Sequence, residues 1–107
     1  MSSFVKINEA NFDQQISQST KPVLLEFGAV WCKPCKSLEP ILLNLGNEWG
    51  SRIILAKIDV DEYPDIAASF GVMTVPTLIL FVQGEVRERL IGLSTVQKIT
   101  STINPYL

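Results

Sequence analysis

The sequence predicts a single α/β domain over residues 1–107, built on a mixed central β-sheet of about five strands flanked by about four helices. Three observations carry that expectation. At 107 residues and 47% hydrophobic composition, the chain can bury one core and has no room for a second domain of ordinary size. Apolar runs of strand length alternate with stretches of helical period, the order of a sheet covered on both faces. The last two strand candidates are separated by only two turn residues, which makes them an antiparallel hairpin.

Phe4-Val5-Lys6-Ile7 reads as a short first strand. Asn8 then caps a helix carrying Phe12 and Ile16 four residues apart on one face, and Lys21-Pro22 breaks that pattern. Val23-Leu24-Leu25-Glu26-Phe27 is a strand apolar enough to be covered on both faces, with Glu26 as its single interruption. From Pro34 the period becomes helical. Leu38, Ile41, Leu42, Leu45 and Trp49 form one buried stripe, and Pro40 inside it is expected to kink the helix. Ile53 to Ile58 is another buried strand. Asp59 to Phe70 is acidic and helical in part, and Gly71 ends it. Thr77 to Val82 and Glu85 to Ile91 pair around Gln83-Gly84, with Ile91 expected in the core. Ser94 or Thr95 caps a last helix that sets Val96, Ile99 and Ile103 on one face. Strands joined by helices are expected to run parallel, and the final hairpin antiparallel.

Charge and residue usage exclude several functions. Nine Lys+Arg against eleven Asp+Glu give a net charge of −2, the wrong sign for binding nucleic acid. The chain has two cysteines and no histidine. Histidine acid–base catalysis, histidine zinc sites and histidine-held haem are therefore ruled out, and two thiols alone do not close a structural zinc site. No metal and no cofactor is expected. Met1 to Lys6 shows neither the apolar region nor the cleavage site of a secretory signal. The longest strongly apolar stretch, Leu78 to Val82, is far too short to span a bilayer. The expectation is a soluble, monomeric, cytoplasmic protein with no membrane partner. In such a reducing compartment, paired cysteines are more often reactive or metal-binding than structural. Cysteine chemistry, carboxylate chemistry or no chemistry remains.

Trp31-Cys32-Lys33-Pro34-Cys35 stands where the second strand gives way to the long helix. Cysteines three apart on a helical turn bring their Cβ atoms near disulfide distance. Pro34 suits the first turn, where a missing N–H costs nothing. The sulfur of Cys32 then lies near unpaired N–H groups and the positive end of the helix dipole, which stabilise a thiolate. Cys35, one turn further in, is expected to be less accessible. Cys32 would attack and Cys35 would resolve the mixed disulfide. An isolated CxxC also fits a chance pair or half of an intermolecular metal site, and the spacing alone does not choose.

Phe27-Gly28-Ala29-Val30-Trp31-Cys32-Lys33-Pro34-Cys35-Lys36 resembles the active-site segment of the thioredoxin family. Val75-Pro76-Thr77 resembles that family's cis-proline loop, and Gly84 and Gly92 fall at its turn glycines. The match extends over essentially the whole chain. It implies the thioredoxin fold and a general protein disulfide reductase, an electron carrier acting on disulfide-containing target proteins and recycled by a thioredoxin reductase. Two other functions share the fold: a more oxidising disulfide oxidase or isomerase, and a non-catalytic scaffold or binding subunit.

The resemblance also assigns residues. Strand alternation puts Glu26 on the face shared with Leu24 and Gly28, where an ionisable group must be paired, protonated or functional. Most thioredoxins carry a buried Asp there, which implies that Glu26 exchanges a proton with Cys35. Its extra methylene moves the carboxyl by roughly one bond length, which would make the proton path direct where the family's is bridged by water. A raised pKa is expected. A Lys at the position of Lys57 approaches the buried carboxylate in the family, so Lys57 is read as a modulator, against the alternative of an ammonium held in solvent.

Pro76 is expected to be cis, with the backbone before it pairing with substrate. Trp31, Met73, Thr74, Val75, Gly92 and Leu93 look like the rim of a shallow substrate groove. Lys33 replaces the usual Gly and, with Pro34, is read as tuning the redox potential. A cation roughly 6 Å from the Cys32 thiolate contributes only about 0.7 kcal/mol in water. That raises the potential by about 15 mV. Gly28 stands where many relatives carry a second Trp, so bulk is missing beside the cysteines. Asp59, Asp61, Glu62 and Asp65 read as a solvated helical face.

Overall fold

In a computed structural model, the described residues 3–107 form a five-stranded sheet in the order β1-β3-β2-β4-β5. The first two residues of the expected domain lie outside the described residues. The strands are β1 (Val5–Lys6), β2 (Val23–Gly28), β3 (Ile54–Asp59), β4 (Thr77–Val82) and β5 (Glu85–Ile91). The α-helices are α1 (Lys33–Trp49), α2 (Pro64–Ser69) and α3 (Val96–Ile103). A π-helical segment, Asp13–Ser17, precedes β2, and short 3-10 turns follow α1 and α3. Among the described residues, no helix is long and apolar enough to cross a membrane.

The sheet is mixed, as the sequence predicts, but one crossing differs. β3 runs parallel to both β1 and β2, whereas β4 runs antiparallel to β2 although a helix joins it to β3. The register gives the reason. Asp59, the last residue of β3, pairs with Gly28, and Thr77, the first residue of β4, pairs with Phe27. The chain therefore leaves β3 and enters β4 at one end of the sheet. The six-residue α2 bridges that end without carrying the chain back along the strands.

Side chains alternate between two cores. Leu24, Leu78, Leu80 and Leu90 pack with Leu38, Leu42, Leu45 and Trp49 of α1 and with Ile99 and Ile103 of α3. On the opposite face Leu25, Phe27, Ile79 and Phe81 pack with Ile16 and Ala67. Covering on both faces explains why β2, Glu26 apart, and β4 read as apolar runs. The second core is rich in rings, with Phe70 at 5.2 Å from Phe81 and 5.6 Å from Phe12, centroid to centroid. α1 continues through Pro40 without interruption.

Local signals behave as their chemistry dictates. The Asn8 side chain accepts from the Asn11 N–H at 2.9 Å, and Asn11 returns the bond at 2.8 Å, so the helical turn starts on a reciprocal cap. Of the two cap candidates for α3, Thr95 is the one used, accepting from the Lys98 N–H at 3.1 Å. Gln83 and Gly84 both have positive φ, 53° and 80°, as a two-residue hairpin turn demands.

Val96 shares the face that holds Ile99 and Ile103, but as the first residue of α3 it stands at the exposed end of that face. One burial expectation fails. Ile91 is 68% exposed. It ends the edge strand, where its neighbour Leu90 takes the core side and pleating turns Ile91 the other way.

Candidate active site

β2 and α1 meet at the end of the sheet where β3 also stops. Cys32 is the extended residue that caps α1, and its Sγ accepts the Cys35 N–H at 3.2 Å. A sulfur in that place receives both a hydrogen bond and the positive end of a 17-residue helix. Pro34 occupies the first turn, where its lack of an N–H leaves no bond unmade. Cys32 and Cys35 are joined as a disulfide, with their Cα atoms 5.3 Å apart. In this oxidised form both are enclosed: Cys35 has no exposure, and Cys32 retains only 2%. The expected difference in accessibility is therefore slight.

The cis-proline loop lies at the same end of the sheet. The Val75–Pro76 peptide is cis, and Pro76 is buried. The Pro76 carbonyl accepts the Gly92 N–H at 2.8 Å, which ties this loop to the segment after β5. Thr77 fastens it from within, donating its hydroxyl to the Thr74 carbonyl at 2.8 Å. Met73, Ile91 and Leu93 are exposed apolar side chains on the two tied segments, Val75 is half-buried, and Val30 and Trp31 are exposed on the loop before Cys32. The Trp31 indole N–H donates to Asp61 at 2.7 Å. That bond revises the reading of the acidic run. Asp59 accepts the N–H groups of Asp61 and Glu62 in the turn before α2, Asp61 holds the indole, and only Asp65 belongs to the helix.

Beneath the disulfide, Glu26 is 1% exposed, and no hydrogen-bond donor serves its buried Oε2. Its carboxyl is raised from 4.5 to about 8, chiefly by loss of hydration. Repulsion from Glu39 and a hydrogen bond with it supply smaller parts of that rise, and the positive charge of Lys57 opposes them. Gly28 sits between this acid and Cys35. A Cβ placed on Gly28 would lie 3.3 Å from Cys35 Sγ and 3.6 Å from Glu26 Oε2. The sulfur and the oxygen are thus no farther apart than those two distances laid end to end.

Lys57 pairs with Glu26 in the β2–β3 register, yet its ammonium bonds to Glu39, 3.5 Å away, and lies over the Phe4 ring at 5.4 Å. Lys33 and Lys36 are exposed on the first turn of α1. A cavity of about 490 Å³ runs alongside, lined in part by Glu26, Gly28, Glu39 and Lys57. Sequence reasoning missed Glu39 and Asp61. Glu39 falls four residues after Cys35 and so shares its helix face, a signal that was available. Asp61 carried no local signal.

The family model for thioredoxin matches residues 3–105. A thioredoxin of Staphylococcus haemolyticus is 37% identical over 96% of this chain and 97% of its own length. One from Listeria monocytogenes is 39% identical over 95% of this chain and 97% of its own. One from Mycobacterium tuberculosis is 41% identical over 85% of this chain and 78% of its own.

Proposed function

The chain belongs to the thioredoxin family, and on that premise we propose that it is a protein thiol–disulfide oxidoreductase that reduces disulfides of target proteins. The observation that carries this reading is the Cys32–Cys35 disulfide, with Cys32 Sγ held by the Cys35 N–H at the start of α1. In the reduced protein the Cys32 thiolate attacks one target sulfur, and the other target sulfur leaves as a thiolate that takes a proton from water. Cys35 then gives its proton to Glu26 through a water and attacks Cys32 Sγ. The second target sulfur is released, and the cysteine pair has supplied two electrons.

Glu26 suits the proton step because burial holds its acid near neutrality, where an acid can both accept and return a proton. Lys57 modulates it by charge. Trp31, Met73, Thr74, Val75, Gly92 and Leu93 frame the target chain, with Pro76 setting the backbone opposite the cysteines. Lys33 and Pro34 tune the potential. A thioredoxin reductase returns the disulfide to the dithiol, and the protein works as a monomer in a reducing compartment, the cytoplasm.

The test is reduction of a disulfide-bonded protein such as insulin by the reduced chain. The unaltered protein is expected to turn over, and Cys32→Ser to abolish the reaction. Activity that survives Cys32→Ser would overturn the assignment.

A further inference from the structure

Glu39 is a second carboxyl beside Glu26. It projects from α1 on the face that carries Cys35, one helical turn earlier, and it lines the same cavity as Glu26 and Lys57. Its side chain is 29% exposed, whereas Glu26 is enclosed. Glu39 acts on the Glu26 acid through its charge and a side-chain hydrogen bond, and any such bond between two carboxyls needs a proton on one of them. On its other side Glu39 meets the Lys57 ammonium at 3.5 Å. Cys35, Glu26, Glu39 and Lys57 thus form a series running from the buried sulfur to the protein surface.

We propose that Glu39 is a positioning residue for the proton step: it shares one proton with Glu26 and passes it between the buried acid and solvent, held at the cavity mouth by Lys57. This rests on Glu26 acting as the base for Cys35. As the Cys35 S–H bond breaks, an O–H bond forms on Glu26. That proton crosses to Glu39 and then to water, while the released target thiolate takes its own proton from water. No electron passes along this path. Lys57 supplies charge only, holding the Glu39 carboxyl at the cavity mouth by their 3.5 Å contact.

The other ionisable groups around Glu26 are Cys35 and Lys36 from α1, Lys6 from β1, Asp59 from β3, and Glu62 and Tyr63 beyond it. In the disulfide form the Glu26 shift comes from burial, Glu39 and Lys57.

The experiment follows the Glu26 carboxyl carbon by NMR titration of the full chain, with single-turnover reduction of a protein disulfide across pH. Glu39→Gln is expected to move the Glu26 midpoint down by about one pH unit, because a like charge is removed and Lys57 is freed. Lys57→Met is expected to move it up. The pH arm of the resolution step should shift with the midpoint, and Glu26→Gln combined with Glu39→Gln should match Glu26→Gln alone. A Glu26 midpoint unmoved by Glu39→Gln overturns the proposal, as does a kinetic effect of Glu39→Gln that persists without Glu26. If Glu26→Gln itself keeps the normal pH profile, the general-base assignment fails first and the Glu39 proposal falls with it.

Discussion

The Trp31 indole N–H and the Asp61 carboxylate are joined by a 2.7 Å hydrogen bond across 30 residues of sequence. A large apolar ring, 67% exposed beside Cys32, is thereby given one orientation. Asp61→Ala should release it. Reduction of a protein disulfide should slow by about two- to tenfold, the worth of one exposed hydrogen bond, with stability falling by less than about 1 kcal/mol. A small disulfide that does not reach Trp31 should react as before. Parallel rate measurements with the two substrates check this, and equal losses on both would count against a docking role for the ring.

The Glu26 carboxyl gives stability a pH dependence of known sign. Its acid is raised to about 8 in the folded protein and ionises near 4.5 when freed from that environment. Between those values the folded state holds a proton that the unfolded chain has lost. This contribution is fully present below pH 4.5 and is lost as pH rises through 8. Glu26→Gln, which mimics the neutral acid, should therefore match the parent below about pH 4.5 and exceed it increasingly up to about pH 8. The difference should grow by up to about 1.4 kcal/mol per pH unit. Urea unfolding at several pH values measures it, and a difference that shrinks with rising pH would contradict the buried neutral acid.

The β4–β5 turn makes a prediction of backbone strain. Gly84 has φ +80°, and a Cβ there would stand 2.5 Å from the Ser17 carbonyl oxygen. Gly84→Ala should cost about 1–3 kcal/mol, because neither the dihedral nor the neighbouring backbone can yield cheaply. Gln83, at φ +53°, is the opposite case, and Gln83→Asn should stabilise slightly. Chemical denaturation of both variants checks the pair.

The exposed apolar side chains on the tied loops should matter to targets and little to folding. Met73 is 92% exposed and Ile91 as open as Trp31, so truncating either to Ala should cost less than about 0.5 kcal/mol. KM for a protein disulfide should rise several-fold while kcat changes less. Steady-state reduction assays separate the two constants.

How far the sequence reveals this arrangement depends on the range of the interaction. Glu26 was legible because a carboxylate inside an apolar strand violates a local pattern. The cysteine pair was legible because CxxC and Pro34 lie on one helical turn. Ile91 was misread because strand propensity does not say which strand forms the sheet edge, and an edge leaves one face uncovered. The antiparallel direction of β4 depends on where two distant strand ends meet, which no residue between them encodes. Glu39 looked like any charge on a helix. Only the packing of α1 against β2 and β3 sets it between Glu26 and Lys57.

The central claim is the division of labour between the two sulfurs, and trapping tests it most directly. A Cys35→Ser variant mixed in reduced form with a disulfide-bonded protein should stall as a covalent one-to-one adduct through Cys32, released by dithiothreitol. The matching Cys32→Ser variant should form none. An adduct on Cys32→Ser and not on Cys35→Ser, or on neither, would contradict the account.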